Sequence, residues 1–327
     1  MAKLLEIKDL NVRYHTDDSI VYAVNNLSLS LEHGEKLGLV GETGAGKTTL
    51  ALSILQLLPN RVGKIESGSI KYDGEELIGQ GEGYMLGLRG RRISMIFQDP
   101  MTSLNPTQTV GDQVLEVLRL HFPQLTKEEK DAKVDEILQL VGIPASRKNE
   151  YPHQFSGGMK QRVVIAMALI AEPELLLADE PTTALDVTIQ AQIMELMRRL
   201  KDKFNTAVIL ITHDLGVVAE FCDKVSVVYA GRVVEHGTVE QIFEAKEKHP
   251  YTMGLINCIP DLSKDEERLK PIPGRMVDPR IIPTGCCFAD RCPHCMEICT
   301  KEPPKVHDLD GHLIMCHLFD AENGGKD

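Results

Sequence analysis

Nowhere in the 327 residues do about 18 uncharged apolar residues run together, so the sequence predicts no membrane-spanning helix. The start, Met1-Ala-Lys-Leu-Leu-Glu6, lacks the long apolar core of a secretory signal. No Lys/Arg-rich run stands out, and the formal charge is −12. That balance counts against non-specific nucleic-acid binding by phosphate neutralisation. No internal repeat stands out either. Cysteine is sparse until the end, where six of the eight (286, 287, 292, 295, 299 and 316) fall in the last 42 residues. With no export signal, such a cluster reads as metal binding ahead of disulfides. What is present is ordinary for a globular chain with a sizeable core: 43% apolar residues, in a length that suits one large domain or a main domain with an appendage.

Up to about residue 245, apolar strand-like stretches alternate with helical patterns, which predicts an α/β domain with a mainly parallel sheet. Strands are expected at Leu4–Leu10, Lys36–Val40, Ile93–Gln98, Leu175–Asp179, Ala207–Thr212 and Lys224–Tyr229. The pattern turns helical between Pro106 and Ala171, with helices expected at Val110–Leu120, Lys127–Val141 and Gly157–Ile170. That block reads as a helical subdomain, about 106–171, inserted into the core. After His249 the texture changes again. A charged stretch, Ser263–Lys270, leads into Pro271-Ile-Pro-Gly274, Pro279 and Pro283, the composition of a linker. The expected division is 1–248 for the main domain and 249–327 for a small, loop-rich extension bearing the cysteines.

Three motifs carry the chemistry. Gly41-Glu-Thr43-Gly44-Ala45-Gly46-Lys47-Thr48-Thr49 lies between an apolar strand and an expected helix, Thr48–Leu58. Its glycines let backbone N–H groups turn inward around phosphate oxygens, and the helix N-terminus favours negative charge. Lys47 can reach the β- and γ-phosphates of ATP, and the Thr48 hydroxyl can ligate Mg²⁺. Leu175-Leu-Leu-Ala-Asp179-Glu180 is an apolar strand ending in two acids: Asp179 suits the outer shell of the metal, and Glu180 suits a base that polarises an attacking water. Between them stands Phe155-Ser156-Gly157-Gly158-Met159-Lys-Gln-Arg162, where Ser156 is expected to cap a helix with an uncovered N-terminus.

In this order the three motifs resemble the ATPase subunit of an ATP-binding-cassette (ABC) transporter. The resemblance implies a RecA-like core with an inserted helical subdomain and an antiparallel β subdomain. It implies that Ser156, Gly157 and Gly158 serve the γ-phosphate held by the other subunit of a head-to-tail dimer. Further roles rest on it as well. His213, in Ile211-Thr-His-Asp214, matches the switch histidine that contacts the γ-phosphate. Gln98 matches the glutamine that bridges Mg²⁺ or the attacking water to the helical subdomain. Tyr14 resembles the aromatic that stacks on adenine, with Tyr22 as the rival. Ala184-Leu185-Asp186 matches the segment that touches the opposing subunit. Phe155 and Met159 depart from the commoner Leu-Ser-Gly-Gly-Gln, while the Ser-Gly-Gly centre is intact.

Phe97-Gln-Asp-Pro-Met-Thr-Ser-Leu-Asn-Pro106, His249-Pro-Tyr-Thr252 and the Pro-rich segment before the cysteines resemble the dipeptide/oligopeptide importers. Nickel importers share much of this pattern. The implied partners are a second ABC ATPase (a related chain or a second copy), two transmembrane permease subunits and an extracytoplasmic solute-binding protein. The implied place is the cytoplasmic face of the membrane. A soluble ABC ATPase acting on DNA or ribosomes is the alternative, disfavoured by the missing coiled coil and the acidic charge. For the tail, the resemblance implies a 4Fe-4S cluster on Cys286, Cys292, Cys299 and Cys316. Cys292-x2-Cys295-x3-Cys299 also has ligand-like spacing, and zinc with His294, His312 or His317 is the rival; free buried thiols are the third reading.

Overall fold

A computed structural model of the chain describes residues 3–183, 185–259 and 271–320. Ala184 and the charged stretch Ser263–Lys270 lie outside the described residues. The strands are β1 (Lys3–His15), β2 (Ile20–Glu32), β3 (Lys36–Val40), β4 (Gly63–Tyr72), β5 (Glu75–Glu76) and β6 (Ile93–Ile96). They continue with β7 (Leu175–Asp179), β8 (Ala207–Thr212), β9 (Lys224–Tyr229), β10 (Arg232–Thr238), β11 (Val306–Leu309) and β12 (His312–Met315). The helices are α1 (Lys47–Ile54), α2 (Glu82–Leu88), α3 (Pro100–Ser103), α4 (Val110–His121), α5 (Lys127–Leu140) and α6 (Gly157–Leu169). After them come α7 (Val187–Phe204), α8 (Leu215–Phe221), α9 (Val239–Glu244), α10 (Pro250–Asn257) and α11 (Glu297–Lys301). Among the described residues no helix is long and apolar enough to cross a membrane.

The chain forms two compact units, each drawn from several segments. The first holds Leu31–Lys36 and Gly79–Ile211. Its strands β6, β7 and β8 are parallel, with Ile96 opposite Ala178 and Asp179 opposite Ile211. Every residue of β7 is buried, which is why Leu175-Leu-Leu-Ala reads as an unbroken apolar run rather than an alternation. The helical block appears close to where the sequence puts it. Thr126 and Glu129 close a reciprocal capping box at the start of α5, and Ser156 accepts from Met159 N at the start of α6. α6 is buried along most of its length, with Val163, Ile165 and Ala166 fully covered.

The second unit holds the described residues of Leu5–Ser30, Leu37–Ile78 and Thr212–Asp327. An antiparallel sheet runs in the order β2-β1-β4-β5, with Leu5 opposite Tyr72 and Tyr14 opposite Gly63. A second set runs β11-β12-β10-β9-β3, parallel only between β3 and β9. The mainly parallel expectation is therefore met by β3, β9 and the first unit's strands, while the far side of this set is antiparallel. The last described segment is not all loop. Asp310 and Gly311, both at positive φ, make a two-residue turn between β11 and β12. β12 then pairs with β10, Glu235 opposite Ile314. Beneath that pairing the fully buried Glu235 carboxylate takes the His312 ring nitrogen at 2.7 Å and the His249 amide at 2.8 Å.

Ile165, wholly covered in α6, tests the packing of the helical block. Ile165→Ala is expected to lower stability by about 2–4 kcal/mol, measured as a shift of the urea midpoint.

Candidate functional site

The phosphate loop lies in the second unit. Two glycines are required by close backbone approach. A Cβ at Gly41 would stand 2.1 Å from the Val228 carbonyl oxygen, and one at Gly46 2.3 Å from that of Ala23. Both also have positive φ, where a side chain is strained. Gly46 precedes α1 without a side-chain cap, and the N-terminus of a helix favours negative charge. Lys47 is buried, and its ammonium donates to the carbonyls of Gly41 at 2.6 Å and Glu42 at 3.0 Å. Thr43, Gly44 and Thr48 are exposed at the mouth of the loop, while Ala45 is buried and donates its amide back to Glu42. Helix α1 ends at Ile54, shorter than expected, because Gln56 takes a left-handed backbone.

Tyr14 lies on β1, half-buried, with its hydroxyl 3.1 Å from that of Thr49. Its rival Tyr22 has the Arg13 guanidinium 4.6 Å over its ring, so one ring face already carries a cation. His213 is exposed after β8, where Asp214 caps α8 through the amides of Gly216 and Val217.

In the first unit, Asp179 is buried at the end of β7. Glu180 follows with φ 47°, a left-handed backbone costly for this residue. Its amide donates to Ile211 O, and its carboxylate accepts from Gln98 Nε2 at 3.1 Å and Thr183 Oγ1 at 2.8 Å. Two residues singled out in the sequence, Gln98 and Glu180, are thus hydrogen-bonded across 82 positions. Thr183 was not foreseen, although it belongs to the Pro181-Thr-Thr run. Ser156 and Gly157 are exposed and Gly158 partly so. A Cβ at Gly158 would meet Ile189 at 2.7 Å, so α6 and α7 approach closely only through that glycine. The two departures from the common motif share one partner, Arg147. Its guanidinium stacks 4.5 Å over Phe155, and one nitrogen lies 3.4 Å from Met159 sulfur.

The cysteines of the second unit separate by environment. Cys287 is buried with its sulfur toward the Tyr229 carbonyl, and Cys295 is exposed. Cys286, Cys299 and Cys316 are buried and Cys292 half-buried. A hydrogen bond from Cys287, with help from His249, holds the Cys286 thiol well below its ordinary range, and Cys287 is pushed up in return. Burial pushes the Cys316 thiol up to about 12, and the neighbouring thiols of Cys286, Cys292 and Cys299 add to the shift. Gly285 permits the close approach of Cys286 N to Cys299 O, since a Cβ there would stand 2.1 Å from that oxygen.

Among the described residues, no three His, Cys, Asp or Glu side chains are grouped to hold one metal ion. The expected zinc ligands are engaged elsewhere or turned outward. His312 bonds Glu235, His317 bonds Asp320 and the Glu302 carbonyl, and His294 is exposed. Zinc needs thiolates about 2.3 Å from a single point.

Residues 24–183 match the family described as ABC transporter, and residues 234–299 match the oligopeptide/dipeptide transporter C-terminal region. The oligopeptide transport ATP-binding protein OppD of Escherichia coli is 50% identical, over 96% of this chain and 92% of its own. The dipeptide transport ATP-binding protein DppD of Bacillus subtilis is 48% identical, over 98% and 96%. Among solved structures, cbiO1 of Clostridium perfringens, part of an ABC transporter complex, has a TM-score of 0.65 at 30% identity, covering 75% of this chain and 92% of its own. A dimeric ATP-binding cassette solved after hydrolysis with ADP and phosphate also scores 0.65, at 28% identity over 72% and 98%. Identity near one half along almost the full length, with a phosphate loop built as described, leaves one assignment: the chain belongs to the ATP-binding proteins of the ABC transporter family, in the branch that carries the oligopeptide/dipeptide C-terminal region.

Proposed function

We propose that this chain hydrolyses ATP to power the import of di- or oligopeptides through a membrane ABC transporter. The observation that carries the reading is the match of residues 234–299 to the peptide-transporter C-terminal region behind an intact cassette. The chain then works at the cytoplasmic face of the membrane. Its partners are a second ATPase subunit, two permease subunits and an extracytoplasmic solute-binding protein.

In this proposal Gly41, Thr43, Gly44, Ala45, Gly46 and Thr49 shape the loop that receives the phosphates. Lys47 exchanges its two backbone carbonyls for β- and γ-phosphate oxygens. Tyr14 stacks on adenine. Thr48 and Gln98 would hold Mg²⁺, with Asp179 acting through water; the ion, when bound, offsets charge on the phosphate oxygens. Glu180 accepts the proton of the attacking water, with Gln98 and Thr183 fixing its carboxylate, and His213 answers to the γ-phosphate. Ser156, Gly157 and Gly158 serve the nucleotide held by the second subunit. Glu180→Gln in the assembled transporter is expected to cut phosphate release at least ~100-fold while ATP still binds. Full turnover in that variant would remove Glu180 from the role of base.

The solute is tested by proteoliposomes holding the native complex and its binding protein. ATP-driven uptake of a radiolabelled dipeptide or tripeptide is expected; uptake of nickel without peptide uptake would make this a nickel importer's ATPase.

A 4Fe-4S cluster on Cys286, Cys292, Cys299 and Cys316 is the second reading, supported by the burial of Cys286, Cys299 and Cys316, by the backbone bond from Cys286 N to Cys299 O, and by the Cys287 sulfur turned to the Tyr229 carbonyl. Such a group would tie together positions 286 to 316 of the chain. Anaerobically purified protein is expected to be brown, with about four irons per chain and visible absorbance bleached by dithionite. Colourless protein carrying stoichiometric zinc would overturn the cluster.

A further inference from the structure

Arg291 stands beside Cys292 in the C-terminal region, yet its guanidinium reaches the phosphate loop, 249 positions earlier in the chain. Both terminal nitrogens grip the Glu42 carboxylate, Nη1 to Oε2 at 2.6 Å and Nη2 to Oε1 at 3.0 Å. The pair is sheltered, the Arg291 side chain being only 4% exposed. Nε donates to the Pro273 carbonyl at 2.9 Å, while the Tyr229 hydroxyl lies 3.3 Å from Nη1 and the Ile272 carbonyl 3.5 Å from Nη2. The Tyr229 and Phe288 rings flank the guanidinium at 5.7 and 5.8 Å. No freedom is left to that side chain.

Glu42 is held at every polar point. Its carboxylate is taken by Arg291 and its carbonyl by Lys47, while its amide donates to the Tyr251 hydroxyl at 2.9 Å. Tyr251 is fully buried on α10, whose first turn is capped by His249. Glu42 is the first residue after the opening glycine of the loop, at a position where the phosphate-loop pattern asks for no particular side chain. A carboxylate there carries the same sign as the phosphates that the loop receives. Left loose, it would both repel them and let the backbone at Gly41–Thr43 wander.

We propose that Arg291 is a positioning residue for nucleotide binding: by clamping Glu42 from the C-terminal region, with Tyr251 as the second jaw, it holds the opening of the phosphate loop in its binding shape. A bidentate guanidinium fork fixes direction as well as charge, which a single point charge does not. Binding to a loop already in shape spares the ordering entropy that would otherwise weaken the complex. The C-terminal region is then part of the nucleotide site's support. The inference rests on the phosphate-loop reading of Gly41–Thr49, not on the identity of the solute.

The test measures ATP affinity of the full chain by calorimetry, and KM and kcat of the assembled ATPase. Arg291→Ala is expected to weaken ATP binding at least about tenfold and to raise KM similarly, with kcat at saturating ATP within about twofold. Arg291→Lys, which keeps the charge and loses the fork, should recover part of the loss; if Arg291→Ala does not fold, a weakening of at least about threefold in the lysine variant carries the test. Glu42→Ala separates shape from charge. It removes a negative charge near the phosphates, so a purely electrostatic role predicts tighter ATP binding, whereas positioning predicts weaker binding. The double variant should be no weaker than the worse single one, because both act through one contact. Unchanged affinity in Arg291→Ala with a lowered melting temperature, or tighter binding in Glu42→Ala, overturns the inference. Lys47→Ala is the control: if it binds ATP normally, the phosphate-loop reading itself falls, and if it alone loses binding, only the role of Arg291 does.

Discussion

A buried ammonium needs oxygens around it, and in this chain the oxygens around Lys47 come from the backbone of its own loop. Burying a charge without partners costs several kcal/mol, so Gly41 and Glu42 must bring their carbonyls inward. That single requirement dictates much else. Gly41 must be glycine because its backbone passes against Val228, and Gly46 because it passes against Ala23. Gly231 adds an amide to the Ala45 carbonyl and Asn25 anchors the Ala230 carbonyl, so the turn after β9 becomes part of the loop's wall. The loop is a shape imposed by neighbours as much as by its own glycines.

The acidic strand follows a different logic. β7 is buried along its whole length and ends in the buried Asp179. The chain then turns at Glu180 through a left-handed backbone, and that carboxylate meets Gln98 and Thr183. Strain at a position so well over-determined is characteristic of functional turns. Arg147 plays a comparable part before α6. It ion-pairs with Glu150, covers Phe155 and reaches Met159, so the unusual residues flanking the Ser-Gly-Gly centre have a common support.

Local signals made the core of this legible in the sequence. The strand–loop–helix around Lys47, the apolar run of β7, the helical block and the Ser156 cap all come from short patterns whose physics is contained within them. β2 and β4 were harder. β4 has only Ile70 and Tyr72 buried, so its half-exposed face leaves no apolar run to read. The β11–β12 hairpin does carry a signal, Asp310-Gly311 between two short strand-like stretches, but each strand is only four residues long. Thr183 stands directly before Ala184-Leu185-Asp186, and as one of two adjacent threonines it carries no pattern of its own. The Glu42–Arg291 pair had no local pattern, since neither residue's neighbours point to the other across 249 positions.

Glu235 has a further consequence for how the protein is made. Its carboxylate is sealed among side chains, and its ring partner, His312, lies 77 positions later. On the ribosome the cassette motifs emerge well before His312 does. Until then Glu235 has no imidazole to meet, and the edge of β10 has no β12 to cover it. The phosphate loop faces the same delay, because Arg291 is also still to come. A nascent chain that already carries every nucleotide-binding motif thus still lacks the partners that cover Glu235, pair with the edge of β10 and meet the Glu42 carboxylate.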